Sequence, residues 1–198
     1  MYKTKTFPLR RTIVACMLAG SSLMMSACST TSTTPNSESH HADRREINEG
    51  VDSALAHLYD TAPGSRAVAN QAKAILVFPT VFQAGLVVGG EYGRGALRVN
   101  GVTERYYNIA AGSVGWQIGA QSKGIILMFM TDDALNKFRQ SNGWQVGADA
   151  TVSVAMIGAN GELDSSLAHH SVVGFVTTNA GVMAGVSLEG AKVSPIQP

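Results

Sequence analysis

Glycine is concentrated in the second part of this 198-residue chain, where 18 of its 21 glycines lie between Gly85 and Gly190. Short apolar, β-prone runs separate these glycines, and helix-capping patterns are rare among them. Because glycine inside a strand costs stability, this density indicates bends, bulges or close approaches of the backbone. The pattern predicts a strongly twisted antiparallel sheet or a small barrel.

Helices are predicted before this sheet and once within it. Apolar residues recur at spacings of three and four over residues 43–60, which predicts a first helix that Pro63-Gly64 ends. Ser65 is the expected N-cap of a second helix that reaches about Lys73. A third helix is expected over residues 132–138, where two aspartates suit the helix dipole. The fold class is therefore α+β, with two N-terminal helices and one inserted helix.

The strands are predicted from apolar alternation between glycines. The first is a short run that Pro79 stops. The predicted strands cover residues 75–78, 84–92, 95–99, 105–109, 114–121, 125–130, 145–155, 172–178 and 182–193.

The first 27 residues have the layout of a secretory signal: a basic end, an apolar stretch and small residues. The apolar stretch, residues 12–25, is shorter than the roughly 20 residues needed to span a bilayer as a helix. Residues 1–27 are therefore predicted to be a signal peptide that is removed.

The signal ends in Met25-Ser26-Ala27-Cys28, which resembles the lipobox of bacterial lipoproteins. The resemblance implies that the Cys28 sulfur carries diacylglycerol and that further acylation, such as palmitate, completes the anchor. Several acyl chains hold a protein stably in a membrane. Ser29 follows instead of aspartate, which by the sorting rule of Gram-negative lipoproteins implies the outer membrane, facing the periplasm. The alternative is an ordinary signal peptide followed by a free thiol.

Cleavage leaves residues 28–42 as a polar tether and residues 43–198 as one domain. With Cys16 removed and Cys28 acylated, no thiol remains for a disulfide or a thiolate metal site. The mature chain keeps 11 basic against 14 acidic residues, a formal charge of about −3, which argues against nucleic acid as a partner. We expect no metal and no cofactor.

Four segments in order resemble the SYLF domain, also called the lipid-binding DUF500 domain. They are residues 72–79 (AKAILVFP), 84–90 (AGLVVGG), 144–148 (WQVGA) and 184–190 (AGVSLEG). The resemblance covers about residues 45–193 and implies a lipid-binding, non-enzymatic module. Eukaryotic members bind phosphoinositides and act with membrane and actin machinery, whereas bacterial members are secreted or are lipoproteins.

This chain departs from the eukaryotic members at the first helix, which they use as a basic membrane contact. Residues 43–60 here carry two arginines against five acidic residues. A net acidic helix does not attract anionic head groups. The resemblance therefore implies generic lipid binding, to a head group or an acyl chain.

Arg94, Arg98 and Arg105 are the candidate head-group contacts. A type I′ turn at Asn100-Gly101 is expected to bring Arg98 and Arg105 near one another across two strands. Their guanidinium groups would then face phosphate. The alternative is a solvated sheet edge balanced by glutamates.

Phe78, Phe82, Trp116 and Trp144 are candidates for an acyl-chain groove. The alternative is that these aromatics are ordinary core or rim residues.

Catalytic patterns are weak in this chain. Gly185-Val186-Ser187-Leu188-Glu189 has glutamate where a nucleophile elbow needs glycine. His169-His170 is an adjacent pair, and adjacent strand residues face opposite sides, so both rarely bind one ion. No catalytic residue is predicted.

Three function hypotheses remain: a membrane-tethered lipid-binding module, which we favour, a structural or adaptor lipoprotein that binds another envelope protein, and a hydrolase using Ser187 or the histidine pair.

Overall fold

Three helices and nine strands make up the part of the chain that the computed structural model describes: residues 37–85, 88–114, 119–155, 167, 169–183 and 186–198. The α+β class is confirmed. The helices are α1 (Ser37–Thr61), α2 (Ser65–Gln71) and α3 (Asp132–Gln140). The strands are β1 (Ala74–Gly85), β2 (Val88–Val99), β3 (Val102–Val114), β4 (Gly119–Phe129), β5 (Trp144–Gln145), β6 (Ser153–Val154), β7 (Val172–Thr178), β8 (Gly181–Val182) and β9 (Lys192–Ile196).

All nine strands belong to one sheet in the order β5-β9-β3-β2-β1-β4-β7-β6, with β8 paired to β7. The sheet is mixed, because β6 pairs with β7 in parallel while the other pairs are antiparallel. The expected α+β fold with a strongly twisted sheet is confirmed, and the sheet is antiparallel except at the β6–β7 edge.

The helix α1 begins at Ser37, six residues before the predicted start, so part of the expected tether is helical. These residues are polar, and apolar periodicity therefore gave no signal for them. Glu38 in the first turn suits the helix dipole. The Arg44 Nε also donates to the carbonyl oxygen of Pro198 at 3.1 Å, which holds this end of α1 against the C-terminal segment.

Ser65 is the first residue of α2 and not its N-cap, so that prediction was wrong. Gly64 occupies the N-cap position. Ser65 is fully buried, and its Oγ donates to the carbonyl oxygen of Leu58 at 3.5 Å. Its hydroxyl is thus used between two helices instead of at a helix end. The inserted helix α3 is confirmed, and the Thr131 side chain caps it by accepting from the Ala134 amide.

Pro79 does not stop the first strand, because β1 continues through it to Gly85. The register of β1 shifts between Val77 and Thr80 against β2, and between Phe78 and Val81 against β4. A bulge tolerates proline because its missing N–H is not needed in the ladder there. The predicted end of the first strand at Phe78 was wrong for this reason. The predicted strand 84–92 was also wrong, because Ala84 and Gly85 end β1 and residues 88–92 belong to β2.

The hairpin between β2 and β3 has the predicted type I′ turn. Asn100 has a φ of 50° and Gly101 a φ of 80°, as both central positions of this turn require.

The long C-terminal strands predicted over residues 145–155 and 182–193 were wrong in extent. Among the described residues of these ranges, which leave out 184–185, only the short strands β5, β6 and β8 and the first residues of β9 form. Gly147 and Gly190 have φ values of 89° and 83°, which turn the chain out of the extended conformation. The Asp149 Oδ2 also accepts from the Gln145 amide at 2.6 Å and closes a turn. The predicted strand 172–178 coincides with β7. Residues 115–118 of the predicted strand 114–121 lie outside the described residues.

The sheet has an apolar core on each face. Helices α1 and α2 cover one face, where the buried residues include Ile47, Val51, Leu58, Val68, Val77, Ala96, Ile126, Met128 and Phe175. Helix α3 and the C-terminal segments cover the other, where they include Leu76, Phe78, Leu97, Tyr107, Ile109, Leu127, Phe129, Phe138 and Trp144.

Candidate functional site

Arg94 and Arg98 lie on the face of β2 that α1 covers, and both contact the acidic side of that helix. The Arg94 guanidinium lies 3.4 Å from the Asp43 carboxylate and 3.8 Å from that of Glu46. Arg98 is bound to the Asp52 carboxylate, and its Nη2 donates to the carbonyl oxygen of Asn48 at 3.3 Å. Both arginines thus fasten α1 to the sheet.

Arg105 is directed away from this pair. It is opposite Leu97 in the β2–β3 register, and Leu97 packs in the core beneath α3. Residues directly opposite in an antiparallel pair share a face. Arg105 also lines an open cleft with Arg44 and the C-terminal residues Pro195–Pro198. The structure therefore does not bring the three predicted arginines into one patch.

The predicted aromatic residues also separate. Phe78 is 0% exposed and Trp144 1% exposed, and Trp144 packs against the ring of Phe138 with centroids 5.4 Å apart. These two side chains are core residues, as the alternative interpretation had it. Phe82 is instead 64% exposed. Trp116, like the predicted lipidation residue Cys28, lies outside the described residues.

Phe82 belongs to an exposed apolar surface at one end of β1–β4. Tyr92 and Ala110 lie beside it in register on β2 and β3, and Val88, 73% exposed, lies farther along β2 on the same face. We call this the hairpin-end surface. Its exposed residues are Phe82, Ala84, Val88, Gly90, Tyr92, Ala110 and Gly112.

The hairpin-end surface projects beyond the rest of the sheet. The pairing of β3 with β9 ends at Ala110, and that of β4 with β7 begins at Gly124. Helix α1 contacts β2 at Arg94, six residues after the strand begins at Val88. Six residues at roughly 3.3 Å each extend about 20 Å. Past Arg94 the described sheet is thus a four-stranded end, and this surface of it is solvent-exposed.

Most of the sequence of this projecting end carries no charge. No charged residue lies between Lys73 and Glu91, nor between Arg105 and Lys123. This signal was available in the sequence, but only the strand pairing shows that the two uncharged stretches lie side by side.

One ion pair lies within the projection, on the face opposite to the hairpin-end surface. The Lys123 ammonium lies 2.9 Å from the Glu91 carboxylate, and their side chains are only 14% and 13% exposed. Arg94 lies in the same region of β2. On the face that carries the hairpin-end surface, the order from tip to base is therefore Val88 and Ala84, then the aromatic pair Phe82 and Tyr92, then Arg94.

A polar cleft of about 340 Å³ adjoins this base between α1 and the sheet. His57 lies in its wall, with Nε2 donating to the carbonyl oxygen of Thr178 at 2.8 Å. Ser122 is opposite Phe82 in the β1–β4 register, so the cleft and the hairpin-end surface share a border. The cleft is lined by Ala54, His57, Pro79, Thr80, Ser122, Lys123, Gly124, Thr177, Thr178 and Asn179.

The residues considered for catalysis lie in different segments of the fold. His169 and His170 are exposed just before β7, whereas Ser187 lies between β8 and β9 and accepts from the Glu189 amide at 3.2 Å. Within the described ranges, no group of three or more His, Cys, Asp or Glu side chains is placed to hold a metal. Nor does any described helix have the length and hydropathy to cross a membrane.

Comparison with protein families identifies the second half of the domain. The model of the Ysc84 family, the SYLF domain family described as "Las17-binding protein actin regulator", matches residues 110–197. Residues 110–197 are assigned to the SYLF domain family. The match includes two of the four segments that carry the sequence resemblance, residues 144–148 and 184–190. The comparison with curated proteins found no match.

The matched part of the SYLF domain begins in β3 at Ala110 and runs through β9. It contains Ser122, which lies at the border between the polar cleft and the hairpin-end surface. It also contains the β7 residues that line the cleft. The hairpin-end surface is completed by β1 and β2, which precede the matched residues.

Proposed function

We propose that this chain is a bacterial envelope lipoprotein, anchored through Cys28, whose SYLF domain binds phospholipid membranes through the hairpin-end surface without catalysing a reaction. The anchor is argued from the lipobox at Cys28, and Ser29 favours the outer membrane, facing the periplasm. The SYLF domain supports lipid as the partner.

One observation carries the proposal: an exposed apolar surface, with no charged residue among its members, on a projecting strand end. Phe82, Val88 and Tyr92 are 64%, 73% and 50% exposed. Contiguous exposed apolar surface marks interaction sites, since single exposed apolar residues are common but clusters are not. The order of aliphatic, aromatic and charged groups also follows the depth profile of a bilayer and its interface.

The mode of binding is apolar and not electrostatic. Arg94 and Arg98 are already paired with carboxylates of α1. The mature charge of about −3 does not favour an anionic surface. Membrane binding is therefore expected to change little with salt or with the fraction of anionic lipid.

The test uses the mature chain, residues 28–198, with Cys28→Ser to remove the lipid, and measures its co-sedimentation with phospholipid vesicles at low and high salt. Phe82→Asp and Val88→Asp should each weaken binding by about tenfold or more, the order expected when one apolar side chain is no longer buried.

Val102→Asp is the matched control. Val102 is 70% exposed and begins β3. It lies at the turn of the β2–β3 hairpin, at the opposite end from Val88. The proposal predicts unchanged binding for this variant. If the unlipidated chain binds no vesicles, Cys28 is the only membrane contact, and an adaptor that docks an envelope protein becomes the better hypothesis.

A further inference from the structure

We infer that the polar cleft between α1 and the strands β1, β4 and β7 binds the phosphate of a phospholipid head group. This inference rests on the proposed function, because it assigns the head group of a lipid whose acyl region contacts the hairpin-end surface. It adds a polar subsite to a surface that is otherwise apolar.

The chemistry of the cleft suits an acceptor-rich ligand. Its lining residues supply hydroxyl, amide and imidazole groups and include no carboxylate. Phosphate oxygens accept hydrogen bonds from such groups, and bonds to a charged acceptor are stronger than neutral ones. The donors available are those of Thr80, Ser122 and Asn179, which are exposed to solvent.

Local packing keeps the cleft open. Gly124 lies in its floor on β4, and a Cβ at this position would lie 2.5 Å from the Thr177 Oγ1. Any larger residue would fill the space between β4 and β7. His57 is held in the opposite wall by its hydrogen bond to Thr178, in which Nε2 donates. In the neutral ring Nδ1 is then an acceptor, which meets a phosphate only through a bridging water or hydroxyl group.

The position of the cleft matches the depth of a head group. Ser122 is opposite Phe82, and Thr80 precedes Phe82 by two residues on the same strand face. A lipid with its acyl chain along Phe82 and Ala84 would therefore have its phosphate near Thr80 and Ser122. Lys123 also lines the cleft, but its ammonium is bound to Glu91, so the hydroxyl groups provide the recognition.

The experiment compares two bilayers without net charge, phosphatidylcholine and digalactosyldiacylglycerol, which share diacyl chains but differ in the phosphate. The unlipidated mature chain should bind phosphatidylcholine vesicles more tightly, by about tenfold, as expected for hydrogen bonds to a charged group. The variant Thr80→Val/Ser122→Ala/His57→Gln should bind both bilayers equally.

Thr151→Val is the control, because Thr151 is an exposed hydroxyl residue in a separate cleft and its loss should leave the preference intact. Equal binding of the unsubstituted chain to both bilayers would overturn the head-group site and leave the proposed function standing. Binding to neither would overturn the proposed function itself.

A further arm separates a lipid from a free anion. Inorganic phosphate at millimolar concentration is titrated while the amide NMR signals of Ser122 and Thr178 are followed. Signals that move with phosphate, without any preference between the bilayers, would make the cleft a site for a free phosphate and the head-group inference wrong.

Discussion

Gly95 lies in β2 against the bulge of β1. A Cβ built on it would overlap the carbonyl oxygen of Val77 and lie 2.7 Å from the Phe78 Cδ1. Backbone atoms in a paired strand cannot move aside cheaply. At Gly95, glycine is therefore required because β1 and β2 approach too closely for a side chain.

Gly95→Ala should therefore lower the free energy of unfolding by roughly 1–3 kcal/mol, the usual cost of overpacking a core. Gly112→Ala is the matched control, since a Cβ there has no neighbour within 4 Å, and its change should stay within about 0.5 kcal/mol. Urea unfolding measures both. Equal effects at the two positions would show that strand propensity, and not close approach, explains the glycines.

The buried phenol of Tyr107 makes the stability of the fold depend on pH in the alkaline range. Burial raises the pKa of its phenol above the ordinary 10.0, and Glu104 adds to this while Arg105 and Arg139 oppose it. Because the folded state holds the proton more tightly, the stabilisation is complete below pH 10 and is lost as the pH rises through the folded-state pKa. Tyr107→Phe should flatten the loss of stability above about pH 10.

The measurement is the urea midpoint of the chain and of Tyr107→Phe between about pH 8 and pH 11. Some slope should remain in the variant, because burial also raises the pKa of Tyr59. An unchanged slope in Tyr107→Phe would assign the alkaline loss to other groups.

At the scale of elements, periodicity predicted where secondary structure exists but not how it ends. Asp132 and the residues after it gave α3 correctly, because a capping residue, first-turn acids and an apolar stripe agree. The start of α1 at Ser37 was missed, since its first turns bury little. The continuous β1 was missed because a proline is compatible with a strand only at a bulge, and a bulge depends on the partner strands.

The arginines show a second limit at this scale. Their number and spacing suggested a phosphate patch, yet Arg94 and Arg98 pair with carboxylates 46 to 51 residues earlier in the chain. The acidic character of α1 was visible in the sequence. That its acids face these two arginines depends on how the helix crosses the sheet, which periodicity does not give.

Arg98 should contribute more to stability than Arg94. Its side chain is 14% exposed and holds both Asp52 and the Asn48 carbonyl, whereas that of Arg94 is 36% exposed with longer ion pairs. Arg98→Met should lower the free energy of unfolding by roughly 1–3 kcal/mol. Arg94→Met should cost about 0–1 kcal/mol. Chemical denaturation of both variants measures these losses. A larger loss of unfolding free energy in Arg94→Met than in Arg98→Met would contradict this ranking.

At the scale of the whole molecule, the projecting end of β1–β4 was predictable only in part. The absence of charge over residues 74–90 and 106–122 can be read from the sequence. Their convergence cannot, because β4 pairs with β1 and not with β3 in the described residues. That pairing places the uncharged ends of β3 and β4 on either side of the β1–β2 hairpin, and the four strand ends together form one surface.

Hydrogen exchange should distinguish this end from the body of the sheet. Residues 111–114 and 119–123 lie where β3 and β4 extend past their outer partner strands, so their amides should exchange faster than those of residues 124–129. Phospholipid vesicles should slow exchange at the projecting end of the chain but not in Phe82→Asp. Slowing confined to residues around Arg105 would place the membrane contact elsewhere.

The pairing of β3 with β9 has a consequence for how the chain reaches this fold. Tyr106 is opposite Ile196, a residue about 90 positions later. Contacts so distant in sequence form slowly, because a long loop must close first. Until the segment containing Lys192–Ile196 docks, the middle of β3 is an uncovered strand edge that favours aggregation between chains. A truncation before Lys192 would keep that edge open, so its damage should show as aggregation of newly made protein before any loss of membrane binding is measurable.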